Sequence, residues 1–417
     1  MCRAVALTEF VGQLCWADVP EFIRRRVQVL LSDFAAVTCA GTSVPTAQLA
    51  ADFAVAQHAG AAATVLHDGR CASVTGAAWA NGVLTNALDF DDGHRLVKGH
   101  PGANVIPAAL AVAETIDAPR EDVLAAITVG YEIAVRAGIA LHLREASYHG
   151  SGAWGAVGAA AAAARLLELD AAQAAHALGL AEYHAPMAPI MRSVADPAMT
   201  KDACGWGAMT GTSSALLAAS GFTASEGAFL ESPGGPDSAV GKRWYVEDIY
   251  VKAFPCCRWS QPAIAAALAV REAYEIEPHL ITRVTVGTFA AATALSSRAP
   301  KTTEEAQYSL VWPVAAALVH GDFGVAQVLP AAFDDGRIHR LAGVIVVEVD
   351  PVLEAAFPAV RRACVTVETR DGSWYPSELT EAPGEPDDPG WAGIVAAKFA
   401  RHAGQLPDWS PLTPLLA

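Results

Sequence analysis

The chain has 417 residues, which is too long for one compact core and predicts two domains. Its 28 basic and 44 acidic residues give a net charge of −16, which argues against nucleic acid as a partner, although a local basic pocket could still hold a small anion. Hydrophobic residues make up 53% of the chain and many segments are rich in alanine, which favours close-packed helices.

Helical periodicity dominates the chain up to about residue 245. One interruption contains the turn signal Asp68-Gly69 between two β-prone pieces, which predicts a small hairpin. Asp170 precedes a helical segment and is a residue type that caps helix N-termini. The predicted helices of this part include residues 21–41, 119–142, 152–170 and 171–183.

The character of the chain changes near residue 246, where β-branched and polar residues begin to alternate. This alternation predicts the strands of an antiparallel sheet, at 280–289, 343–351 and 363–376. Helical spacing returns at 302–321 and 387–404.

These patterns together predict a mainly α protein with a second, α+β domain. A large all-helical domain would span residues 1–245 and would be completed by residues 388–417. A smaller lid domain, residues 246–387, would be inserted between these two parts and would carry the sheet.

Composition also bears on the cellular location. The first 20 residues show no signal-peptide pattern, and no run reaches the ~20 strongly apolar residues that a bilayer span requires. Eight cysteines without regular spacing favour reduced thiols over a disulfide framework. We therefore expect a cytoplasmic protein that does not bind a membrane.

The segment ALDFDDGHRLVKGHPGANVIPAALAVAE concentrates ionisable groups directly before an apolar helix. A helix N-terminus carries positive potential, so histidine and lysine there can form a site for an anionic substrate. Taken alone, Asp89, Asp91 and Asp92 are equally compatible with helix caps and solvated acids, and His100 with a loop histidine.

This segment and four others resemble the MmgE/PrpD family, in the family's order and over nearly the whole chain. The resemblance implies a cofactor-independent homodimer in which a helical domain and a lid domain enclose the site. The family includes 2-methylcitrate dehydratase, cis-aconitate decarboxylase and iminodisuccinate epimerase. The four further segments are YHGSGAWGAVGAAAAAARLLELD, MTKDACGWGAMTGTSSALLAASGFT, VKAFPCCRWSQPAIAAAL and AQYSLVWPVAAALVHGDF.

These three reactions share a proton transfer at a carbon beside a carboxylate, which requires a positioned acid or base and cations for the developing charge. The resemblance therefore implies a lyase that acts on a small di- or tricarboxylate, with dehydration as the favoured outcome. Decarboxylation and epimerisation are the alternatives. A non-catalytic binding protein on the same scaffold is the alternative of another class.

The family pattern also implies the site residues. Lys201 lies among small residues that would bury its stem, so its ammonium needs an anionic partner or ligand. Lys252 would reach the site from the lid domain, while His100 and His149 would transfer protons. The implied catalytic residues are Asp89, His100, His149, Lys201 and Lys252, and the implied substrate-binding residues are Arg258, Cys257, Gln261 and Ser309.

Several positions depart from the family pattern. Cys257 and Gln261 stand where histidines occur in other members, Trp312 stands where an aromatic hydroxyl is frequent, and Asn86 replaces a frequent histidine. These departures predict few proton donors on the lid side of the pocket. Arg258 fits a bidentate carboxylate clamp, and a plain surface role fits it equally well.

Other chemistries have little support in the sequence. A paired-histidine box and a C-x-x-C motif are missing, which argues against a metal site, and the His67-Asp68 pair lies in the predicted hairpin turn. No G-x-G-x-x-G follows a strand and no G-x-S-x-G elbow occurs, which argues against a dinucleotide cofactor and a serine nucleophile.

Overall fold

The fold is known from a computed structural model that describes residues 2–230, 239–295, 297–404, 406–407 and 410–416. In chain order the helices of the described residues are α1 (Cys2–Gln13), α2 (Glu21–Gly41), α3 (Pro45–Gln57), α4 (Val74–Asn86), α5 (Gly102–Ile116), α6 (Arg120–Arg144), α7 (Gly152–Leu166), α8 (Ala171–His184), α9 (Met191–Ala195), α10 (Cys204–Ala219), α11 (Gln261–Tyr274), α12 (Ala290–Thr293), α13 (Thr303–Gln307), α14 (Val311–His320), α15 (Gly336–Val344), α16 (Pro351–Ala356), α17 (Trp391–His402) and α18 (Thr413–Leu416). The strands are β1 (Ala63–Thr64), β2 (Cys71–Ala72), β3 (Gly93–His94), β4 (Ile249–Tyr250), β5 (Ile281–Thr288), β6 (Ile345–Val349), β7 (Arg362–Thr369), β8 (Trp374–Pro376) and β9 (Thr380–Glu381).

The helical part is built around α7, which packs against α5, α6, α8 and α10. Every residue of α7 except Arg165 is buried, and most of its residues are glycine or alanine. A Cβ atom on Gly158 would lie 2.5 Å from the backbone oxygen of Gly130 in α6, so only glycine permits this approach. Small residues therefore allow the helices to pack closely, and the predicted mainly α fold is confirmed.

Helix α6 is long and apolar enough to cross a membrane by length and composition, and 94% of its apolar window is buried inside the protein. Buried core helices commonly have the same length and composition. Helices α2 and α3, which meet at an angle of 94°, pass the same test only if they are counted as one broken span.

The α+β part contains a five-stranded sheet in the order β6-β5-β7-β8, with β9 paired to β7. Strand β5 is antiparallel to β7 but parallel to β6, so the sheet is mixed and not purely antiparallel as the strand pattern alone indicated. The chain between β5 and β6 returns through helices, as a parallel connection requires. Helix α11 packs against β7 and α14.

The predicted helix over 302–321 is in fact two helices, α13 and α14, separated by a turn. The side-chain oxygen of Ser309 accepts a hydrogen bond from the backbone N–H of Trp312 at 2.9 Å and thereby caps α14. Pro313 lies in the first turn of α14, where its missing N–H costs little. The break places Tyr308 in the turn between the two helices.

Two long-range connections hold the charged loop between α4 and α5. Strand β3 pairs with β4, so Gly93 and His94 lie beside Tyr250 and Ile249. Helix α17 packs on α2, where Lys398 Nζ lies 2.6 Å from Asp33 Oδ1 and donates to the backbone oxygen of Phe90 at 3.0 Å. The predicted hairpin is also present, as the β1–β2 pair.

Candidate active site

The charged loop turns its aspartates inward. Asp92 caps helix α5, because its Oδ1 accepts from the backbone N–H of Gly102 at 3.1 Å, and its Oδ2 accepts from Tyr131 at 2.5 Å. Burial raises the pKa of Asp92 to about 7. Asp91 accepts from the amide of Asn86 at 3.1 Å. Both acids are buried, so the interpretation of them as solvated groups is wrong, whereas the cap interpretation holds for Asp92.

Asp89 is the centre of the site. Its backbone has a left-handed φ of 50°, which turns the loop sharply at this residue. Lys252 Nζ donates to Asp89 Oδ1 at 2.5 Å and to the Asp89 backbone oxygen at 2.9 Å. His100 Nε2 lies 3.2 Å from the same Oδ1. The three side chains form one buried cluster.

The cluster is charged at neutral pH. Burial alone would raise the pKa of Asp89, but the positive charge of Lys252 and the hydrogen bond from His100 hold it well below its usual value. Burial alone would lower the pKa of His100, but the negative charge of Asp91 and the hydrogen bond to Asp89 raise it to about 9. His100 is therefore an imidazolium, and a proton donor, in the resting site.

A second set of hydrogen bonds fixes the position of His100. Its Nδ1 lies 2.7 Å from the backbone oxygen of Asp92, and its backbone N–H donates to Ser151 Oγ at 2.9 Å. Ser151 in turn donates to Asp202 Oδ1 at 3.0 Å, and the hydroxyl of Tyr308 donates to Asp202 Oδ2 at 3.2 Å. Both oxygens of Asp202 are thereby occupied.

A cavity of about 310 Å³ opens beside this cluster. Side chains from both parts of the chain line it, so the site lies between the helical bundle and the α+β part. Of the residues that the sequence implicates, the cavity is lined by Asp89, His100, Lys252, Cys257 and Arg258.

Lys201 is buried but lies outside this lining. Its Nζ donates to Gln307 Oε1 at 2.5 Å and to the backbone oxygen of Ala87 at 3.3 Å. It lines a neighbouring cavity of about 570 Å³ with mostly apolar walls, which Asn86 also lines. Lys201 contributes to lowering the pKa of Asp89 through its charge, so it is electrostatically coupled to the cluster.

His149 is also buried and lies next to Tyr148, which does line the cavity. Its ring stacks on His142 with the ring centroids 6.4 Å apart, and its Nδ1 has no hydrogen-bond partner. Burial lowers the pKa of His142 to about 4. His142 is therefore neutral beside His149.

Three of the implied substrate-binding residues bind other groups of the protein through their polar atoms: Gln261, Ser309 and Arg258. The amide of Gln261 donates to the backbone oxygens of Phe254 and Cys256, and the hydroxyl of Ser309 donates to Ser297. Neither Gln261 nor Ser309 lines the cavity. Arg258 lines it, but its guanidinium donates to backbone oxygens of the chain and lies 2.9 Å from Glu385 Oε1.

The structure adds lining residues that the sequence interpretation did not select. Asp202 directly follows Lys201, and Tyr308 lies within AQYSLVWP, so both were in segments already singled out. Tyr308 supplies an aromatic hydroxyl, whereas Trp312 is fully buried and donates to Gln327. The other charged residues that the structure adds to the lining are Lys98 and Arg361.

Asp89, His100 and Asp202 carry ligand atoms within 4.8 Å of one another, a spacing that would suit a metal ion. Lys252 is already bound to Asp89, however, and His100 with a pKa of about 9 would have to lose its proton to become a ligand. The arrangement therefore suits an organic anion better than a metal cation.

Comparison with known proteins agrees with this architecture. Residues 5–245 match the family model of the MmgE/PrpD N-terminal domain, and residues 254–409 match that of the MmgE/PrpD C-terminal domain. A cis-aconitate decarboxylase-like protein of Aspergillus oryzae is 26% identical over 373 residues, which cover 80% of this chain and 77% of that protein. The cis-aconitate decarboxylase of Homo sapiens is 26% identical over 373 residues, covering 82% and 75%. That of Aspergillus terreus is 24% identical over 304 residues, covering 66% and 61%.

The two family matches together span most of the chain, and they meet between the helical part and the sheet. The chain therefore belongs to the MmgE/PrpD family.

Proposed function

We propose that this protein is a lyase that removes CO2 from a small unsaturated di- or tricarboxylate without a redox cofactor or a metal ion. The observation that carries the proposal is the charged cluster of Asp89, Lys252 and His100 in the wall of a cavity. The names of the relatives, cis-aconitate decarboxylases, support the same reaction class.

Decarboxylation breaks the bond between a carbon atom and a carboxylate, and the electron pair stays on the carbon skeleton. Conjugation with a neighbouring carboxylate spreads this charge, and fixed cations stabilise it. Lys252 and His100 are such cations, because both remain protonated at neutral pH. A proton must then replace the lost CO2, and solvent must reprotonate the donor afterwards.

Of the two cations, His100 is a stronger acid than Lys252. Its Nε2–H lies 3.2 Å from Asp89 Oδ1, a contact long enough to be exchanged for one with the substrate. Cys257 is a weaker donor, because burial and the charge of Asp89 raise its pKa to about 12.

Dehydration, the outcome favoured by the sequence analysis, needs a base that removes a carbon-bound proton. Among the described lining residues the two carboxylates are already engaged, Asp89 by Lys252 and His100, and Asp202 by Ser151 and Tyr308. A lowered pKa makes Asp89 a weak base. These charge states favour decarboxylation over dehydration or epimerisation.

The proposal is tested by incubating the purified protein with cis-aconitate, 2-methylcitrate and related acids in heavy water. We expect one equivalent of CO2 per product molecule and one deuterium at the carbon that gains a proton, measured by gas release and NMR. His100→Gln should abolish both signals, and Lys301→Gln, which changes an exposed lysine, should leave them intact.

Three other results would contradict the proposal. Water loss without CO2 would identify a dehydratase, and deuterium exchange with inversion alone would identify an epimerase. Tight binding of a tricarboxylate with neither exchange nor product would identify a non-catalytic binding protein.

A further inference from the structure

Arg361 is the most unusual cation of the cavity wall. Its side chain is only 2% exposed, yet it lines the cavity, and its Nε has no hydrogen-bond partner. Among the described residues, none forms an ion pair with it. A buried guanidinium normally has a carboxylate partner, because the cost of removing its charge from water must be offset. Burial accordingly lowers the pKa of Arg361.

Glu385 is the carboxylate whose charge acts on Arg361, and it already has other partners. Glu385 lies 2.9 Å from Arg258 and 2.7 Å from Arg95, so two other guanidinium groups share it. Lys98 adds a further positive charge that acts on Arg361, and its ammonium is held over the ring of Tyr148, 3.2 Å from the centroid. This end of the cavity therefore has more positive than negative charge.

We propose that Arg361 is a specificity-determining residue that binds a second carboxylate of the substrate, away from the carboxylate that leaves. A carboxylate placed there would accept two parallel hydrogen bonds from the guanidinium and would reduce its repulsion with Lys98. The inference rests on the proposed function and deepens it, because it assigns a named residue to the carboxylate that the substrate keeps. A monocarboxylate would leave Arg361 unpaired.

Binding of tricarballylate, a saturated tricarboxylate that lacks the reactive double bond, tests this role without any turnover. Calorimetry on the purified protein should give a dissociation constant about 10- to 100-fold weaker for Arg361→Met than for the wild type. The dissociation constant of Arg361→Lys should lie between these two values, because lysine keeps the positive charge but cannot donate two parallel hydrogen bonds to one carboxylate. Equal affinity in the wild type and Arg361→Met would overturn the proposal.

The chain offers a matched control in the next residue. Arg362 is 45% exposed in its side chain, lies 3.6 Å from Glu381 and does not line the cavity. Arg362→Met should bind tricarballylate within about twofold of the wild type. An equal loss in both variants would show that general surface charge attracts the ligand, and would contradict a specific site.

A thermal unfolding measurement separates ligand binding from a structural role. Removing a buried cation that has no partner removes its desolvation cost, so unliganded Arg361→Met should melt at or above the wild-type temperature. A clearly lower melting temperature, or failure to fold, would indicate a structural arginine and overturn the proposal.

Kinetics adds a further readout. With a substrate that is turned over, Arg361→Met should raise KM by more than it lowers kcat, because the clamp holds ground state and transition state alike. If the protein releases CO2 and Arg361→Met binds tricarballylate as tightly as the wild type, this inference alone is refuted. Arg361-dependent binding without CO2 release would refute the proposed function alone.

Discussion

The charged residues on the two walls of the cavity differ in whether they have partners within the protein. On the helical wall, Asp89, His100 and Asp202 are each held by partners within the protein. On the α+β wall, Arg258 is paired with Glu385, whereas Arg361 has no acid partner in the part of the chain that the structure describes. The helical wall is thus fixed in place before substrate arrives, and the opposite wall keeps one charge for the ligand. We infer that the helical wall carries the chemistry and that the α+β wall recognises the substrate. Lys252 connects the two walls.

The largest effect should follow from removing the support of the helical wall. Lys398→Met leaves Asp33 buried without its cation and should lower the free energy of unfolding by about 3–5 kcal/mol, measured by urea denaturation. Burial already raises the pKa of Asp33 and lowers that of Lys398, so each depends on the other for its charge.

A double variant serves as the control for this ion pair. Asp33→Leu combined with Lys398→Met should recover much of the lost stability, because an apolar pair replaces the buried ions. A single Lys398→Met variant as stable as the wild type would show that the pair does not anchor the loop.

The second-largest effect should follow from replacing Lys252, which connects the two walls. Lys252→Met removes the cation that holds Asp89 and should lower kcat by roughly 10²–10³-fold, measured by CO2 release with the fold checked by circular dichroism. The exposed Lys301→Met is the control and should keep full activity. A folded Lys252→Met variant within a few-fold of wild-type kcat would remove Lys252 from the mechanism.

The charge of His100 gives a smaller, pH-dependent effect. Its pKa is about 9 in the fold against an ordinary 6.5, so its contribution to stability is complete below about 6.5 and is lost as pH rises through 9. We expect turnover to fall about fivefold from pH 9 to pH 10, because only the protonated form donates. The free energy of unfolding should decline between about pH 6.5 and pH 9 and level off above that range.

The matched comparison is His100→Gln, which has no group that titrates at this position. Its unfolding free energy should lack the decline between about pH 6.5 and pH 9 when urea curves are measured from pH 6 to pH 10. A decline of equal size in both proteins would assign the titration to another residue.

The smallest effect concerns Ser309, which caps α14 and does not line the cavity. Ser309→Ala should cost about 1 kcal/mol of stability and leave KM unchanged. Thr302→Ala removes the equivalent cap of α13 and should have a similar cost. A raised KM in Ser309→Ala alone would instead support the substrate-binding role that the family resemblance implies.

Much of the fold could be predicted from periodicity. Helices α2, α6 and α7 each consist of a long stretch with one consistent apolar pattern, so local sequence determines them. The division of residues 302–321 could not be predicted in this way, because it depends on a side-chain cap and a proline inside a segment that is apolar throughout. The parallel pairing of β6 depends on contacts between distant strands.

The site could be predicted in part. Asp89, His100 and Lys252 lie in segments whose order and composition mark them, and they meet in the fold. Arg361 could not be distinguished from Arg362, because the two adjacent arginines lie where β7 begins and only tertiary packing decides which one is buried. The pairing of Arg258 with Glu385 joins residues 127 positions apart, which a single sequence does not reveal.

The bond from Lys398 to the backbone oxygen of Phe90 spans 308 positions of the chain. During synthesis the ribosome adds Lys398 only after the loop beside Asp89 has emerged, and at ordinary rates of synthesis the intervening residues take on the order of tens of seconds. Throughout that interval the nascent loop lacks its anchor and the carboxylate of Asp33 lacks its cation. Translation speed and chaperone access in this window should therefore govern the yield of active protein more than the final stability does.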